Sequence, residues 1–317
     1  IGGAESREGV EVASGGGLLF LGSKALGLDV LRTAVAVAPG QLSGVVTVDD
    51  AADARSVLTG FKEYCAKARL DLKVVSRPED LAVVVAETSP SVVLVAGWYW
   101  MIDGSVLSMA SNGFVGLHAS LLPAYRGNAP LVWALINGES KTGVTLFFMD
   151  RGMDTGDVID QVELSIGPNT AVDDLLTRVT ETCCVLIERH LGNVLDGTSP
   201  RRPQDEGECS YGSVRTKADG RIEWKHSASE VHNFIRAQSH PYSGAFTFLD
   251  DGRLLRILRS ELFGNPYSGI PGLAQQAVDA GRVICCGSGA IVVTDCVVDG
   301  EAPDDPRTVL IRGTRCI

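Results

Sequence analysis

Short apolar runs alternate with amphipathic segments along the first two thirds of the chain. The apolar runs predict strands at 18–22, 44–48, 72–75, 92–96, 115–118 and 143–149. Segments with apolar residues at helical spacing predict helices at 25–32, 52–70, 79–88 and 170–195. Because strands that alternate with helices pair in parallel and are covered on both faces, the pattern predicts an α/β domain with a mostly parallel, doubly wound sheet.

The pattern changes after residue 200. The Pro-Arg-Arg-Pro sequence at 200–203 and the polar residues that follow it predict an exposed linker. Beyond an amphipathic helix at 228–237, alternating strands are predicted at 244–249, 253–258, 282–286 and 290–298. These short strands are typical of a small antiparallel, OB-like barrel or sandwich. We therefore divide the chain into a disordered lead-in at 1–17, an α/β domain at 18–200 and a β-rich domain at 201–317.

Composition and charge narrow the class of protein. The 317 residues are 45% hydrophobic and 21% charged, and no run of eighteen apolar residues predicts a membrane helix. The polar first seventeen residues do not resemble a signal peptide. The net charge of −11 disfavours nucleic acid as the main partner, since phosphate backbones attract basic surfaces. Eight cysteines without a CxxC motif indicate reduced thiols in a cytoplasmic protein and no metal site.

Two segments carry candidate catalytic residues. His118 opens the segment HASLLPAYRGNAP directly after a predicted strand, and Asp154 lies in an acidic, Gly-rich turn after the next one. Both residues follow the carboxyl end of a strand, so we expect them to converge in one crevice. An imidazole beside a carboxylate suits removal of a proton from an attacking amine. Considered alone, His118 is also consistent with a structural residue of the core or surface. Asp154 alone is consistent with an ordinary turn residue.

The segments HASLLPAYRG (118–127) and GMDTGDVI (152–159) resemble the two most recognisable motifs of the formyltetrahydrofolate-dependent transferase family, at that family's spacing. The family includes methionyl-tRNA, glycinamide-ribotide and nucleotide-sugar N-formyltransferases. The resemblance covers about residues 18–260 and continues more weakly through the C-terminal strands. It implies a Rossmann-like catalytic domain and an N-formyltransferase that takes its formyl group from 10-formyltetrahydrofolate.

The resemblance also implies the roles of individual residues. His118 is expected to be the general base or proton relay, and Asp154 to orient it. The folate pterin is expected to insert between two loops, whose residues are Gly97, Trp98, Tyr99, Trp100, Met101 and Ile102 in the first and Asp150, Arg151, Gly152 and Met153 in the second. An aromatic loop at a strand end also suits a flat heterocycle by its own chemistry. The acceptor is expected to contact Ser120, Leu121, Tyr125, Arg126 and Asn128.

Gly116 departs from the family pattern. The family has a third catalytic residue two positions before the His, an Asn that donates a hydrogen bond to the formyl oxygen, and this chain has Gly116 there. Losing one such donor typically lowers the rate by about 10²–10³. Three readings remain open: an engineered Asn→Gly variant, a weakened or altered natural enzyme, or a substitute donor such as Asn112, Asn128 or water.

The loop after the second predicted strand bears on the acceptor. Methionyl-tRNA enzymes carry a long basic insertion there, whereas this chain reads VVTVDDAADARSVLTG, with three Asp and one Arg. This loop favours a small-molecule amine over tRNA: an aminosugar on a nucleotide, an amino acid such as an ornithine derivative, or a natural-product amine. Methionyl-tRNA formyltransferase and a non-catalytic folate- or amine-binding relative remain alternatives. A dinucleotide-dependent oxidoreductase is disfavoured because the early glycines lack the G-x-G-x-x-G spacing. We expect no membrane partner and allow for a homodimer.

Overall fold

The computed structural model of the chain describes residues 17–300 and 305–317. The predicted lead-in at 1–17 lies, apart from Gly17, outside the described residues. The chain forms two units, each assembled from several stretches of sequence. The first unit comprises residues up to Leu117, with Leu146–Asp160 and Cys183–Pro203, and the second comprises His118–Thr145, Gln161–Thr182 and Gln204–Ile317. The sequence-based domain boundary at residue 200 stays a prediction.

The described strands are β1 (Leu18–Gly22), β2 (Leu42–Val48), β3 (Leu72–Val75), β4 (Val92–Ala96), β5 (Gly113–His118), β6 (Arg126–Gly127), β7 (Lys141–Phe148), β8 (Val158–Ser165), β9 (Tyr211–Gly212), β10 (Ala245–Phe248), β11 (Leu254–Leu262), β12 (Ala274–Val278), β13 (Gly281–Cys285) and β14 (Ala290–Val298). The α-helices are α1 (Lys24–Val37), α2 (Leu58–Ala68), α3 (Asp80–Thr88), α4 (Gly104–Leu107), α5 (Pro130–Ile136), α6 (Val172–Leu195), α7 (Ala228–Arg236) and α8 (Pro306–Val309).

The mostly parallel sheet that the sequence predicts consists mainly of strands of the first unit. Its strand order is β3-β2-β1-β4-β5-β7-β8, and β1 to β5 pair in parallel. All residues of β1 and β4 are buried, which explains their unbroken apolar runs. The strand order reverses between β1 and β4, where open α/β sheets bind ligands. At this point the Ser23 hydroxyl donates a hydrogen bond to the Gly97 carbonyl.

The second unit contains the antiparallel sheet that the sequence predicts for the C-terminal region. Its strand order is β10-β11-β14-β13-β12, and every neighbouring pair is antiparallel. Helix α7 packs on β11 and contributes Val231 and Ile235 to a core of residues from this unit. The helix begins at a capping box in which Ser227 and Glu230 satisfy each other's backbone N–H groups.

Three features differ from the sequence-based expectation. Helix α2 begins at Leu58 and not at residue 52, because the preceding segment turns around Asp53, whose carboxylate accepts the Arg55 backbone N–H at 2.9 Å. The sequence pattern did not indicate β8, α5 or β12. The segment at 200–203 is exposed as expected, but Arg202 exchanges two backbone hydrogen bonds with Val158.

His232 on α7 makes a pH-dependent contribution to stability. Its Nε2–H donates to the Pro168 carbonyl, and its Nδ1 accepts from the Ser260 hydroxyl, both at 3.0 Å. Burial lowers the pKa of His232 below its ordinary value, and the nearby Arg236 adds to this effect. As the pH falls below about 6.5, the unfolded chain therefore takes up this proton before the folded chain does.

We therefore expect the free energy of unfolding to fall between pH 6.5 and pH 5.5, with a slope of up to about 1.4 kcal/mol per pH unit from this residue. The measurement is urea unfolding at both pH values. His232→Gln is expected to flatten the slope, whereas His226→Gln, which changes an exposed imidazole, is expected to keep it. Equal slopes in the two variants would contradict this assignment.

Candidate active site

His118 ends β5 and opens the His loop (residues 118–130). Its side chain is almost buried, with 9% exposed. Its Nε2 lies 2.8 Å from the backbone carbonyl oxygen of Tyr125. A carbonyl can only accept, so Nε2 carries the proton in this hydrogen bond. In the neutral ring the lone pair that can take up a proton is therefore on Nδ1.

Tyr125 is fixed at both its backbone and its side chain. It adopts a left-handed conformation with φ +57°, which is uncommon for a non-glycine residue. Its N–H donates to the Ser210 hydroxyl at 2.9 Å. Its phenol donates to Glu139 at 2.7 Å and accepts from Asn137 at 3.0 Å. These contacts hold the carbonyl that faces His118.

Arg126 is fully buried, and its guanidinium contacts side chains of the second unit. It donates to both carboxylate oxygens of Glu206, at 2.7 and 2.9 Å, and to Gln204 and Tyr211. Arg126 was expected to bind the acceptor. In the structure this guanidinium is hydrogen-bonded to Gln204, Glu206 and Tyr211, a role that the sequence did not indicate, and its contact with the acceptor stays a prediction.

The other predicted acceptor residues differ in exposure. Ser120 is buried, and its hydroxyl donates to the Ala124 carbonyl at 2.6 Å. Leu121 is half-buried and packs against the backbone at Gly143. Asn128 is exposed, and its side-chain amide makes no hydrogen bond within the described residues. Among these three residues, Asn128 is therefore the one with a free polar side chain.

The acidic turn after β7 belongs to the first unit. The Asp150 carboxylate accepts hydrogen bonds from the Gly152 N–H at 3.0 Å and the Thr155 hydroxyl at 2.6 Å. Asp154 is half-buried and has a left-handed φ of +55°. Non-glycine residues in this conformation often mark functional turns. His118 belongs to the second unit, so the convergence of His118 with Asp154 stays a prediction.

A cavity of about 640 Å³ in the first unit adjoins both predicted pterin loops. It is lined by Met101, Ile102, Asp103, Gly104, Ser105 and Arg151. Met101 and Ile102 come from the first predicted loop and Arg151 from the second, so the structure brings the two loops together here. The sequence did not single out Asp103, which caps α4 by accepting the Ser105 N–H at 2.8 Å. An Asp-Gly-Ser helix start is the signal that could have located it.

The remaining residues of the pterin loops are split between core and surface. Trp98 and Trp100 pack edge to face, with ring centroids 5.4 Å apart, against the core of the first unit. Tyr99 is half exposed, and Gly152 and Met153 also lie on the surface. Gly97 has φ +67°, and a Cβ there would collide with the Ser23 carbonyl. Only glycine fits this close approach.

Gly116 faces apolar atoms. A Cβ at this position would lie 3.1 Å from Phe147 Cε1 and 3.2 and 3.3 Å from Met149 Cγ and Sδ. These side chains therefore crowd the space into which an Asn would extend. Of the two side chains considered as substitute donors, Asn112 is already committed, because its amide donates to the Leu195 carbonyl at 2.8 Å. Asn128 is the candidate whose amide is free.

An ionic network that the sequence did not reveal joins the first residue of α1 to the loop after β2. Lys24 Nζ lies 2.5 Å from an Asp50 oxygen and 2.9 Å from an Asp53 oxygen. Hydrogen bonds from Arg55 hold the pKa of Asp53 well below its usual range. Lys24 also lies 5.6 Å from the centre of the Tyr99 ring. The acidic loop after β2 was visible in the sequence. Its partner Lys24 was not identified, because it is distant from this loop in sequence.

Two further findings apply to residues 17–300 and 305–317. No cluster of three or more His, Cys, Asp or Glu side chains there could hold a metal ion. None of the helices in this part is both long and apolar enough to span a membrane.

Comparison with known proteins places these features in a family. Residues 40–188 match the family described as "Formyl transferase", and residues 215–310 match "Formyl transferase, C-terminal domain". A methionyl-tRNA formyltransferase of Sorangium cellulosum is 33% identical over 293 residues, which cover 90% of this chain and 93% of the relative. A methionyl-tRNA formyltransferase of Geobacter sulfurreducens is 34% identical over 217 residues, covering 68% of this chain and 67% of the relative.

Solved structures share the fold at lower identity. WlaRD, a sugar 3N-formyl transferase, superposes with a TM-score of 0.68 and 18% identity, covering 90% of this chain and 99% of its own. The N-formyltransferase from Helicobacter canadensis gives a TM-score of 0.66 at 20% identity, covering 88% and 99%. With a relative at 33% identity that is matched over nearly its full length, the protein belongs to the formyltransferase family.

Proposed function

We propose that the protein transfers the formyl group of 10-formyltetrahydrofolate to the primary amine of a small molecule. WlaRD was solved with 5-N-formyl-THF and the Helicobacter canadensis enzyme with folinic acid, which supports a formyl-folate donor. The 640 Å³ cavity has the size of a small-molecule site. Its apolar Met101 and Ile102 and its polar Asp103 and Arg151 fit a fused heterocycle with polar edges.

The observation that carries the proposal is the hydrogen bond between His118 Nε2 and the Tyr125 carbonyl. This hydrogen bond keeps the proton on Nε2, so the lone pair of the neutral ring is on Nδ1, which acts as the base. When bound, the donor supplies the formyl carbon and a nitrogen leaving group. His118 takes the proton as the amine nitrogen bonds to that carbon, and it returns a proton to the leaving nitrogen as the old carbon–nitrogen bond breaks. Asp154 stabilises the charged form of the ring.

The network around Lys24 supports a small acceptor. The loop after β2 is short and acidic, and Asp50 and Asp53 hold it against Lys24. Such a loop lacks the basic charge that would attract a tRNA backbone. The Helicobacter canadensis structure contains dTDP-3-aminofucose, an amine-bearing nucleotide sugar. Methionyl-tRNA is the second candidate, favoured by the 33% identity to the Sorangium cellulosum enzyme.

We expect a panel of acceptors to separate these candidates. The enzyme is incubated with 10-formyltetrahydrofolate and, separately, a dTDP-linked aminosugar, an ornithine-type amino acid and methionyl-tRNA. Mass spectrometry then detects an acceptor in which a formyl group has replaced one amine hydrogen. We expect one of the small amines to be formylated, and His118→Ala to abolish the product. Faster transfer to methionyl-tRNA than to any small amine would favour the second candidate. Binding of the folate without any transfer would favour a non-catalytic relative.

Gly116 leaves the formyl oxygen with one fewer hydrogen-bond donor than other family members provide. Comparing Gly116→Asn with Gly116→Ala isolates this effect, because both variants place the same Cβ against Phe147 and Met149. Only Asn adds a donor. We expect kcat of Gly116→Asn to exceed that of Gly116→Ala by about 10²–10³, the usual value of one oxyanion donor. The KM of the amine is expected to change little.

Steady-state kinetics with one identified amine provide the measurement. Asn128→Ala tests whether the exposed amide of the His loop already supplies the donor, and we expect it to keep the parental kcat. Equal kcat values for Gly116→Asn and Gly116→Ala, together with a large loss in Asn128→Ala, would show that Asn128 acts as the donor.

A further inference from the structure

The peptide unit between Tyr125 and Arg126 is hydrogen-bonded at both ends. Its carbonyl oxygen accepts the Nε2 proton of His118 at 2.8 Å. Its N–H donates to the backbone carbonyl of Ser210 at 2.8 Å. The two groups belong to one rigid plane and point in opposite directions. Rotation of this plane would therefore break both hydrogen bonds together.

The partner of that N–H lies in the linker segment (residues 204–212), which also contacts the Arg126 side chain. The buried guanidinium binds Gln204 and Glu206 on one part of the segment and Tyr211 on another. Backbone hydrogen bonds from Ser210 N–H to the Pro123 carbonyl, and pairing of β6 with β9, attach the rest of the segment to the His loop. A buried guanidinium needs these partners, since an unpaired buried charge is strongly unfavourable.

We propose that Arg126 is a positioning residue for His118. Through Glu206 and Gln204 it holds the linker segment against the His loop, and this contact fixes the Tyr125 carbonyl. The carbonyl keeps the proton on Nε2 of His118 and the lone pair on Nδ1. The linker segment therefore helps to keep His118 in the tautomer that acts as the base. The expected effect on kcat rests on the proposed formyl transfer. The expected effect on the tautomer of His118 does not depend on that function.

Arg126 is fully buried among protein side chains, so its effect on the reaction passes through His118. Without the ion pair between Arg126 and Glu206, the peptide plane that follows Tyr125 can rotate. His118 then populates both neutral tautomers. Protein molecules in which His118 carries its proton on Nδ1 have no lone pair on that nitrogen to accept a proton from the amine. The consequence is a lower kcat with an unchanged KM for the folate donor.

The test compares Arg126→Lys with Glu206→Ala. Arg126→Lys keeps the charge but loses the forked geometry that binds both carboxylate oxygens. Because Arg126 is buried, that variant is accompanied by Glu206→Ala, which removes a side chain that is 65% exposed and leaves Gln204 and Tyr211 on the guanidinium. Glu163→Ala serves as the matched control, since it breaks the exposed ion pair with Lys141 in the same unit.

The first readout is a long-range proton–nitrogen NMR spectrum of the imidazoles at a pH where the rings are neutral. His118→Gln identifies the His118 signals. His232 is the internal reference, because its Nε2–H donates to the Pro168 carbonyl and not to the His loop. We expect both rings to be pure Nε2–H tautomers in the parent protein and in Glu163→Ala. In Arg126→Lys and Glu206→Ala, His118 alone is expected to become a mixture.

The second readout is kinetic. We expect kcat to fall about tenfold in Glu206→Ala, part of the 10²–10⁴ that general base catalysis supplies. A His118 that stays a pure Nε2–H tautomer in both variants would overturn the proposal. So would a tautomer change in His232 as large as that in His118, because it would indicate general unfolding. A tautomer change confined to His118, in a protein that formylates no amine, would support the positioning role and refute the proposed function.

Discussion

The candidate site depends on the hydrogen bond from His118 Nε2 to the Tyr125 carbonyl. This carbonyl belongs to a left-handed residue that is held through its N–H, its phenol and the following peptide N–H. The buried Arg126 adds a second connection, from the side chain of the next residue to the linker segment. A histidine whose tautomer is fixed in this way needs no rearrangement before it accepts a proton, which is the advantage of a preorganised site.

A second feature of the candidate site is the absence of a side chain at Gly116. Phe147 and Met149 crowd its side-chain position, so the strand presents apolar atoms there. Under the proposed function, the formyl group is then activated with one fewer hydrogen-bond donor. The ionic network of Lys24 with Asp50 and Asp53 joins α1 to the loop after β2, and we propose that it bears on the choice of acceptor. Under the proposed function, rate and specificity therefore depend on different residues.

The sequence predicted the sheet of the first unit because β1 and β4 are buried on both faces and read as unbroken apolar runs. It also singled out His118 as the candidate base, because a motif with fixed spacing identifies a position without knowledge of contacts, and that role stays a prediction. The orientation of Arg126 could not be predicted, since its partners lie about 80 residues away in a polar segment that reads as a linker. Local hydrogen bonds at Asp53 likewise overrode the helical pattern before α2.

The central claim is that His118 and Asp154 act together in proton transfer. A double-mutant cycle on single-turnover formyl transfer tests it, with the parent enzyme, His118→Ala, Asp154→Asn and the double variant. Residues that act as one unit lose most of their joint effect when either is removed. We predict that the double variant transfers formyl at nearly the rate of His118→Ala alone. Losses that multiply, or an Asp154→Asn variant with the parental rate, would contradict the claim.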